Sequence, residues 1–384
     1  MKIFKNRYAR RIDKLLTNWD VKFLFVFVSV SIVSVVFSGC GFQFPFVVSQ
    51  DTLISNHVPD LAKKPNLVWS HKQSSPISTI DYLTNNKILI TTHRGEVYAF
   101  DLLLEKRVSK IWHPIKQFSA FNLDKNNGII YMASEVKDMI LAYSLVENRL
   151  LWKKNIDGID NIIAISGNSI FITKNDRLII SLDAQNGKIL HSRKLNNHII
   201  NGCKFTDNQL IILQEGGVLN ILSYSLEIMK TKKTNFTASP RLTTSGDYFL
   251  LTDSDKKLNV YLKSDWSSPL MILSLESPIY SAPVIYDSLL ILPESNGIVK
   301  GIDIRSGEIL WDYTGKGLIN QPLIVNDDVV LIPYSRGELV SLDVRTGAEL
   351  WKYSFDHTIR TCTVIPPGCL ITDSDRKVHF LKFQ

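Results

Sequence analysis

The sequence predicts an all-β fold: an eight-bladed β-propeller whose ring is closed by an N-terminal strand completing the last blade. Three observations predict it. A fifteen-residue phrase recurs along the chain, its copies keep a period near forty residues, and the two ends of the repeat region are complementary pieces of one copy. The clearest copy is GELVSLDVRTGAELW, residues 337–351. Apolar and polar residues alternate through Leu339, Ser341 and Asp343, which is strand periodicity. Thr346-Gly347 supplies a tight turn in which glycine takes positive φ without steric cost. Ala348 to Trp351 begins the return strand, so the phrase is one β-hairpin with an indole at its far end.

The other elements follow as copies of this hairpin. GIVKGIDIRSGEILW (297–311) is nearly the same text forty residues earlier. RLIISLDAQNGKILH (177–191) keeps Asp183 and Gly187 but carries His191 in place of Trp, and DMILAYSLVENRLLW (138–152) keeps Trp152 and loses Asp and Gly. GEVYAFD (95–101) reaches Trp112 through a longer hairpin. Residues 217–231 and 257–271 hold little beyond apolar alternation, and RKVHFLK (376–382) ends the chain without a return strand. Motif starts fall at 95, 138, 177, 217, 257, 297, 337 and 376, and each return-strand position precedes the next start by 25 or 26 residues. Trp69, in NLVWSHK, precedes Gly95 by 26 residues, so it reads as a return strand whose own hairpin is missing. Eight motifs with complementary ends imply eight blades in a closed ring. Such closure also removes an exposed sheet edge.

Length alone, 384 residues, allows two or three domains, but the repeat accounts for nearly everything after Pro65, so one ring over 67–384 is expected. Hydrophobic content of 45% is ample for its core. The net charge of +7 is unevenly placed. Residues 1–39 hold seven Lys or Arg (Lys2, Lys5, Arg7, Arg10, Arg11, Lys14, Lys22) and two acids (Asp13, Asp20), leaving only +2 on the remainder. A nucleic-acid surface needs its cations on the folded part, so no nucleic-acid partner is expected.

The N-terminus is a basic segment, then an apolar run from Phe23 to Val36, then Phe37-Ser38-Gly39-Cys40. That order is a secretory signal, and a cysteine directly after two small residues is the lipoprotein form, with Cys40 acylated. An uncleaved membrane anchor is the alternative. Residues 1–39 are thus expected as signal peptide and 40–66 as lipidated Cys40 and flexible tether. At 26 residues, a flexible tether spans about 25–30 Å root-mean-square. Cys203 is expected in a different blade from Cys362 and Cys369, which flank Pro366-Pro367 and form either a disulfide or two buried thiols. No CxxC and no zinc-type spacing occurs.

Asp101, Asp183, Asp303 and Asp343 each precede a hairpin turn, where a carboxylate accepts backbone N–H bonds. Their recurrence once per blade speaks against paired catalytic acids. Trp69, Trp112, Trp152, Trp311 and Trp351 are expected as wedges between blades, and Gly307 and Gly347 as the turn glycines that accompany them.

The pattern G-x-x-x-x-x-D-x-x-[TS]-G-x-x-x-W resembles the repeat of quinoprotein-type (PQQ-like) propellers, whose tryptophan-docking motif interlocks eight blades. With a lipobox at Ser38-Gly39-Cys40, Gly41 after the cysteine and a lone ring, the chain resembles the BamB family of outer-membrane β-barrel assembly lipoproteins; VVLIPYSRGELVSLD (329–343) is especially like that family's late blades. The resemblance covers about residues 67–384. It implies a non-enzymatic scaffold without cofactor or metal, lipid-anchored at the periplasmic face of the outer membrane. It also implies as partners the large barrel-inserting subunit and unfolded outer-membrane protein clients. Carried over residue by residue, its partner-binding loops fall at 195–201 and 214–216, with Ile199 and Ile200 as apolar contacts and Glu215 as the acidic one. Ile199 and Ile200 equally well begin a core strand.

Two other classes remain as alternatives. A quinoprotein dehydrogenase places adjacent cysteines and calcium ligands over its cofactor, and no adjacent cysteines occur here. A periplasmic or surface propeller that binds a different protein or a glycan is compatible with the same residues. The eight histidines are scattered and no G-x-S-x-G is present.

Overall fold

Strand formation follows the apolar runs and turn residues of each repeat, and the result is eight antiparallel four-stranded sheets. The computed structural model describes residues 59–383, apart from 84–85, 112–119, 176, 207, 235–240, 253–255 and 367. Within strands, only the backbone is described at 109–111, 200–203, 205–206 and 241. Cys40 and Trp112 therefore lie outside the described residues, as do the side chains of Ile200 and Cys203.

Blade 7 is representative: Ile324–Asn326, Val329–Pro333, Glu338–Asp343 and Glu349–Ser354, hydrogen-bonded in that order. Blades 1 to 6 begin at Ile77, Ala120, Ile159, Ile199, Arg241 and Val284. Blade 8 takes three strands from the C-terminus, Ile359–Ile365, Gly368–Asp373 and Lys377–Lys382, and its fourth, Asn66–Lys72, from the N-terminal end of the ring. Asn66 pairs with Lys382 and Lys72 with Lys377, antiparallel. The first strands of blades 2 to 5 touch in turn, and that of blade 8 touches that of blade 1, so the two ends of the ring meet.

Each sheet is packed on both faces by its neighbours, and this decides burial along the repeat. Second and third strands are buried nearly throughout, as in Val329–Pro333, whereas fourth strands such as Ile228–Lys233 are largely exposed. Alternation therefore does not report a solvent face here. Ser341 is 0% exposed and donates its hydroxyl to the Leu61 carbonyl at 3.1 Å. Leu61 also corrects the expected tether. Residues 60–62 form a turn, and Leu61 is 2% exposed within a cluster with Trp351, Leu381 and Phe383. The end of the segment before the first strand is docked into the ring.

Candidate functional site

Two features build the candidate site: latches that hold blades rigid, and loops that the latched blades present.

The hairpin turns come first. Asp343 Oδ1 accepts the backbone N–H of Arg345 and Thr346 at 3.0 and 2.8 Å and the Thr346 hydroxyl at 2.8 Å. Asp303 Oδ1 does the same with Arg305 and Ser306 at 2.9 and 2.8 Å. The Ser306 and Arg305 amides hold the Asp303 carboxyl below its ordinary range, because they bond the charged form. Burial pushes Asp343 up, but its bonds from Thr346 and Arg345 outweigh that and leave it lowered.

The tryptophans join one blade to the next. Trp311 of blade 6 donates its indole N–H to Val344 O of blade 7 at 3.0 Å, Trp152 of blade 2 to Ala184 O of blade 3 at 2.8 Å, and Trp69 of blade 8 to Leu102 O of blade 1 at 3.2 Å. Each acceptor follows the turn aspartate of the receiving blade by one residue. Blade 8 has no such hairpin, since its fourth strand, Asn66–Lys72, comes from the other end of the ring. Trp351 donates instead to Leu61 O at 2.9 Å, so the segment before the closing strand supplies the missing carbonyl.

Register shows what replaces Trp elsewhere. Opposite the position of Ser341, blade 3 carries His191, blade 4 Lys230, blade 5 Met271 and blade 1 Ser109. In blade 1 that register position falls at Ser109, while Trp112 lies outside the described residues. In blades 3 and 4 a cation two residues further along does the latching. Arg193 donates to Leu226 O of blade 4 at 2.8 Å, and Lys232 to Trp266 O and Ser267 O of blade 5 at 2.6 and 2.7 Å. Aromatics also come from the receiving side. Tyr224 reaches back to Ser166 O of blade 3 at 2.8 Å, and Trp266 of blade 5 is buried against Ile211, Leu219 and Ile221 of blade 4. Sequence reading missed both, and the usable signal was an aromatic in the third-to-fourth-strand turn of a blade whose predecessor lacks Trp.

A Ser–His–Asp chain is present in blade 8. Ser70 Oγ is 2.6 Å from His379 Nδ1, and His379 Nε2 is 2.9 Å from Asp373 Oδ2. Its chemistry is read from its equivalents. At the same places blade 4 holds Thr231, Asn220 and Gln214, with Asn220 bonded to both of the others. Blade 6 holds Lys300, bonded to Glu294 Oε1 at 3.1 Å and to Glu276 Oε1 at 2.7 Å. Burial lowers the Lys300 ammonium and its two carboxylates raise it, with a net rise. A set that recurs as Gln–Asn–Thr is a polar lock of the blade, and satisfied buried polar groups need no catalytic role. Among the described residues no three His, Cys, Asp or Glu side chains converge as a metal site.

The two candidate binding loops are brought together. Gln214 Nε2 donates to Asn197 O at 2.7 Å, Asn197 Nδ2 to Glu215 O at 3.1 Å, and the Glu215 amide to His198 O at 2.8 Å. Arg177 is 2.5 Å from His198 Nε2. Glu215 is exposed; Ile199 pairs with Gln214 and packs, half-buried, on the core between blades 3 and 4.

The fold and its latches define a closed eight-bladed β-propeller with quinoprotein-type repeats. The sequence profile of the family described as outer membrane protein assembly factor BamB matches residues 225–361, from the last hairpin of blade 4 to the first strand of blade 8. Among solved structures, BamB from Moraxella catarrhalis is similar at 13% identity and TM-score 0.66, over 83% of this chain and 100% of that one. The computationally designed Ika8 protein matches at 14% identity and TM-score 0.66 over 82% of this chain and 98% of that one. Sqt1 of Saccharomyces cerevisiae matches at 9% and TM-score 0.71 over 83% and 99%. No curated protein sequence matches. The chain is a BamB-like propeller.

Proposed function

We propose that the chain is a non-enzymatic scaffold of the machinery that assembles β-barrel proteins into the outer membrane. The profile match to the BamB assembly factor across residues 225–361 carries this reading. The domain plan is a signal peptide over 1–39, an acylated Cys40 with a tether that ends where Leu61 docks, and the ring beyond it. Acylation holds the ring at the periplasmic face of the outer membrane. The joined loops 195–201 and 214–216 offer Ile199, Ile200 and Glu215 to the large barrel-inserting subunit. Fourth strands of the blades offer open edges on which an extended segment of an unfolded barrel client adds as a strand. Latched blades suit this role because a rigid partner loses less entropy on binding.

The test is an affinity pull-down of the tagged full chain from gently solubilised membranes, with co-purifying proteins identified by mass spectrometry. Recovery of an outer-membrane barrel-inserting subunit is the expected result. A chain that fractionates with outer membranes yet brings down no such subunit overturns the assembly role and leaves a propeller with a different ligand.

A further inference from the structure

Cys362 lies in Ile359–Ile365 and Cys369 in Gly368–Asp373, the first two strands of the closing blade. The register pairs Cys362 with Ile371 and Val364 with Cys369, so the two cysteines are diagonal neighbours on one face of a hairpin. Their sulfurs are 3.4 Å apart and unbonded. Diagonal positions of an antiparallel pair are normally too far apart for short side chains to meet; this hairpin brings them within contact.

The surroundings matter as much as the distance. Cys369 is 0% exposed, and both thiols pack in the cluster that holds Leu61, Trp351 and Phe383. That cluster is where the two ends of the ring meet. Its covalent state thus bears on the one blade built from both chain ends.

We propose that Cys362 and Cys369 are a disulfide-forming pair, oxidised during folding, that pins the inner hairpin of the closing blade. The oxidant is a dithiol-disulfide donor. The thiolate of one cysteine attacks a donor sulfur, forming a mixed disulfide and releasing one donor thiol. The second cysteine, deprotonated, attacks the first, forming the intramolecular bond and releasing the other donor thiol. The chain gives up two electrons and two protons, and the donor takes them. Exchange requires an accessible thiolate. In the closed blade Cys369 is sealed, and hydrogen bonding between the two thiols together with burial pushes the Cys362 thiol well up. Oxidation therefore precedes closure by Asn66–Lys72, and a pair reduced after folding re-forms slowly. For a short loop the bond raises the melting temperature by about 3–5 °C.

Only the supply of oxidant rests on the reading of an exported chain, and two experiments separate that from the geometry. Tryptic cleavage at Arg360 and Arg376 releases residues 361–376, which hold both cysteines and no other basic residue before Arg376. In the first, the full chain is unfolded, reduced, refolded in a glutathione redox buffer, acid-quenched and alkylated. The peptide is expected two hydrogens lighter and unalkylated until reduced, and wild type but not Cys362→Ser should lose a few degrees of melting temperature on reduction. Alkylation of both thiols after refolding overturns the pair. In the second, the same peptide is taken from cells quenched directly. The light form is again expected. A fully alkylated peptide there, beside a light one after refolding, counts against export and leaves the pair standing.

Discussion

The indole of Trp311 lies against the backbone of Gly347 in the next blade so closely that a Cβ at Gly347 would come within 2.6 Å of Cε3. Trp152 and Gly187 stand in the same relationship, at 2.8 Å. Gly307 meets nothing within 4 Å, because the preceding blade offers Met271 where the others offer Trp. The glycine of the repeat thus serves two ends, a positive φ and space for the neighbour's ring. Gly307, at φ +74°, serves only the first. Gly307→Ala should cost about 1–2 kcal/mol for the left-handed backbone. Gly347→Ala, at φ +71°, should cost about 1–3 kcal/mol more, since a packed indole must move. Equal urea midpoints for the two variants would remove the docking explanation.

Trp351 closes the ring by donating to Leu61 O, which also accepts the Ser341 hydroxyl. Trp351→Ala should destabilise by about 3–5 kcal/mol. Trp351→Phe keeps most of the packing, loses one hydrogen bond and should cost about 1 kcal/mol beyond the lost ring area. Both should speed amide exchange in Asn66–Lys72 before other strands. Uniform acceleration around the ring would mean that closure is not the weak point these contacts describe.

Blades 6 and 7 were legible in the sequence because their docking demands particular atoms: a carboxylate at Asp303 or Asp343 for two turn amides, and an indole at Trp311 or Trp351 for a distant carbonyl. Blades 4 and 5 were not, because their interface is latched by Lys232 and wedged by Trp266 from the receiving side, and a cation or a reversed indole leaves no fixed spacing. Alternation marked the strand at Glu338–Asp343 but carried no information on burial: Ser341 is 0% exposed, because these sheets are packed on both faces. At the candidate site, motif carry-over indicated Ile199 and Glu215. The bonds joining their loops through Asn197 and Gln214 come from register, which a single sequence does not display.

Trp266 tests the reversed wedge. If it fills the place that blade 4 leaves vacant, Trp266→Ala should cost about 3–5 kcal/mol, like a forward-docked Trp, and should loosen blades 4 and 5 together. Exchange rising in blade 5 alone would make it an ordinary residue of its own sheet. Phe249, which Trp266 meets edge-on, and Tyr261, stacked on Phe249, serve as the internal comparison.

Asp303 provides the pH dependence. Its folded carboxyl titrates below the ordinary 3.8 because the Ser306 and Arg305 amides bond the ionised form. A depressed carboxyl contributes stability that is fully present above its unfolded value and is lost as pH falls through the folded value. The urea midpoint of wild type should therefore drop more steeply than that of Asp303→Asn between about pH 5 and pH 3. At neutral pH the variant should be the less stable of the two. Parallel profiles would show that the turn bonds do not favour the carboxylate over a neutral acceptor.

Glu215 separates binding from folding more cleanly than Ile199 does. The backbone of Glu215 carries the link between the loops, through its amide to His198 and its carbonyl to Asn197, while its side chain is exposed. Charge reversal there leaves both links in place. Ile199→Asp, by contrast, puts a carboxylate on the core between blades 3 and 4 and should lower stability and partner capture together. Glu215→Lys should leave the melting temperature unchanged and weaken capture of the barrel-inserting subunit by about five- to tenfold, more at low salt than at high, as a rim charge acts mainly through long-range attraction. Unaltered capture by Glu215→Lys, with loss only in the destabilised Ile199→Asp, would move the contact away from these loops and to another part of the ring.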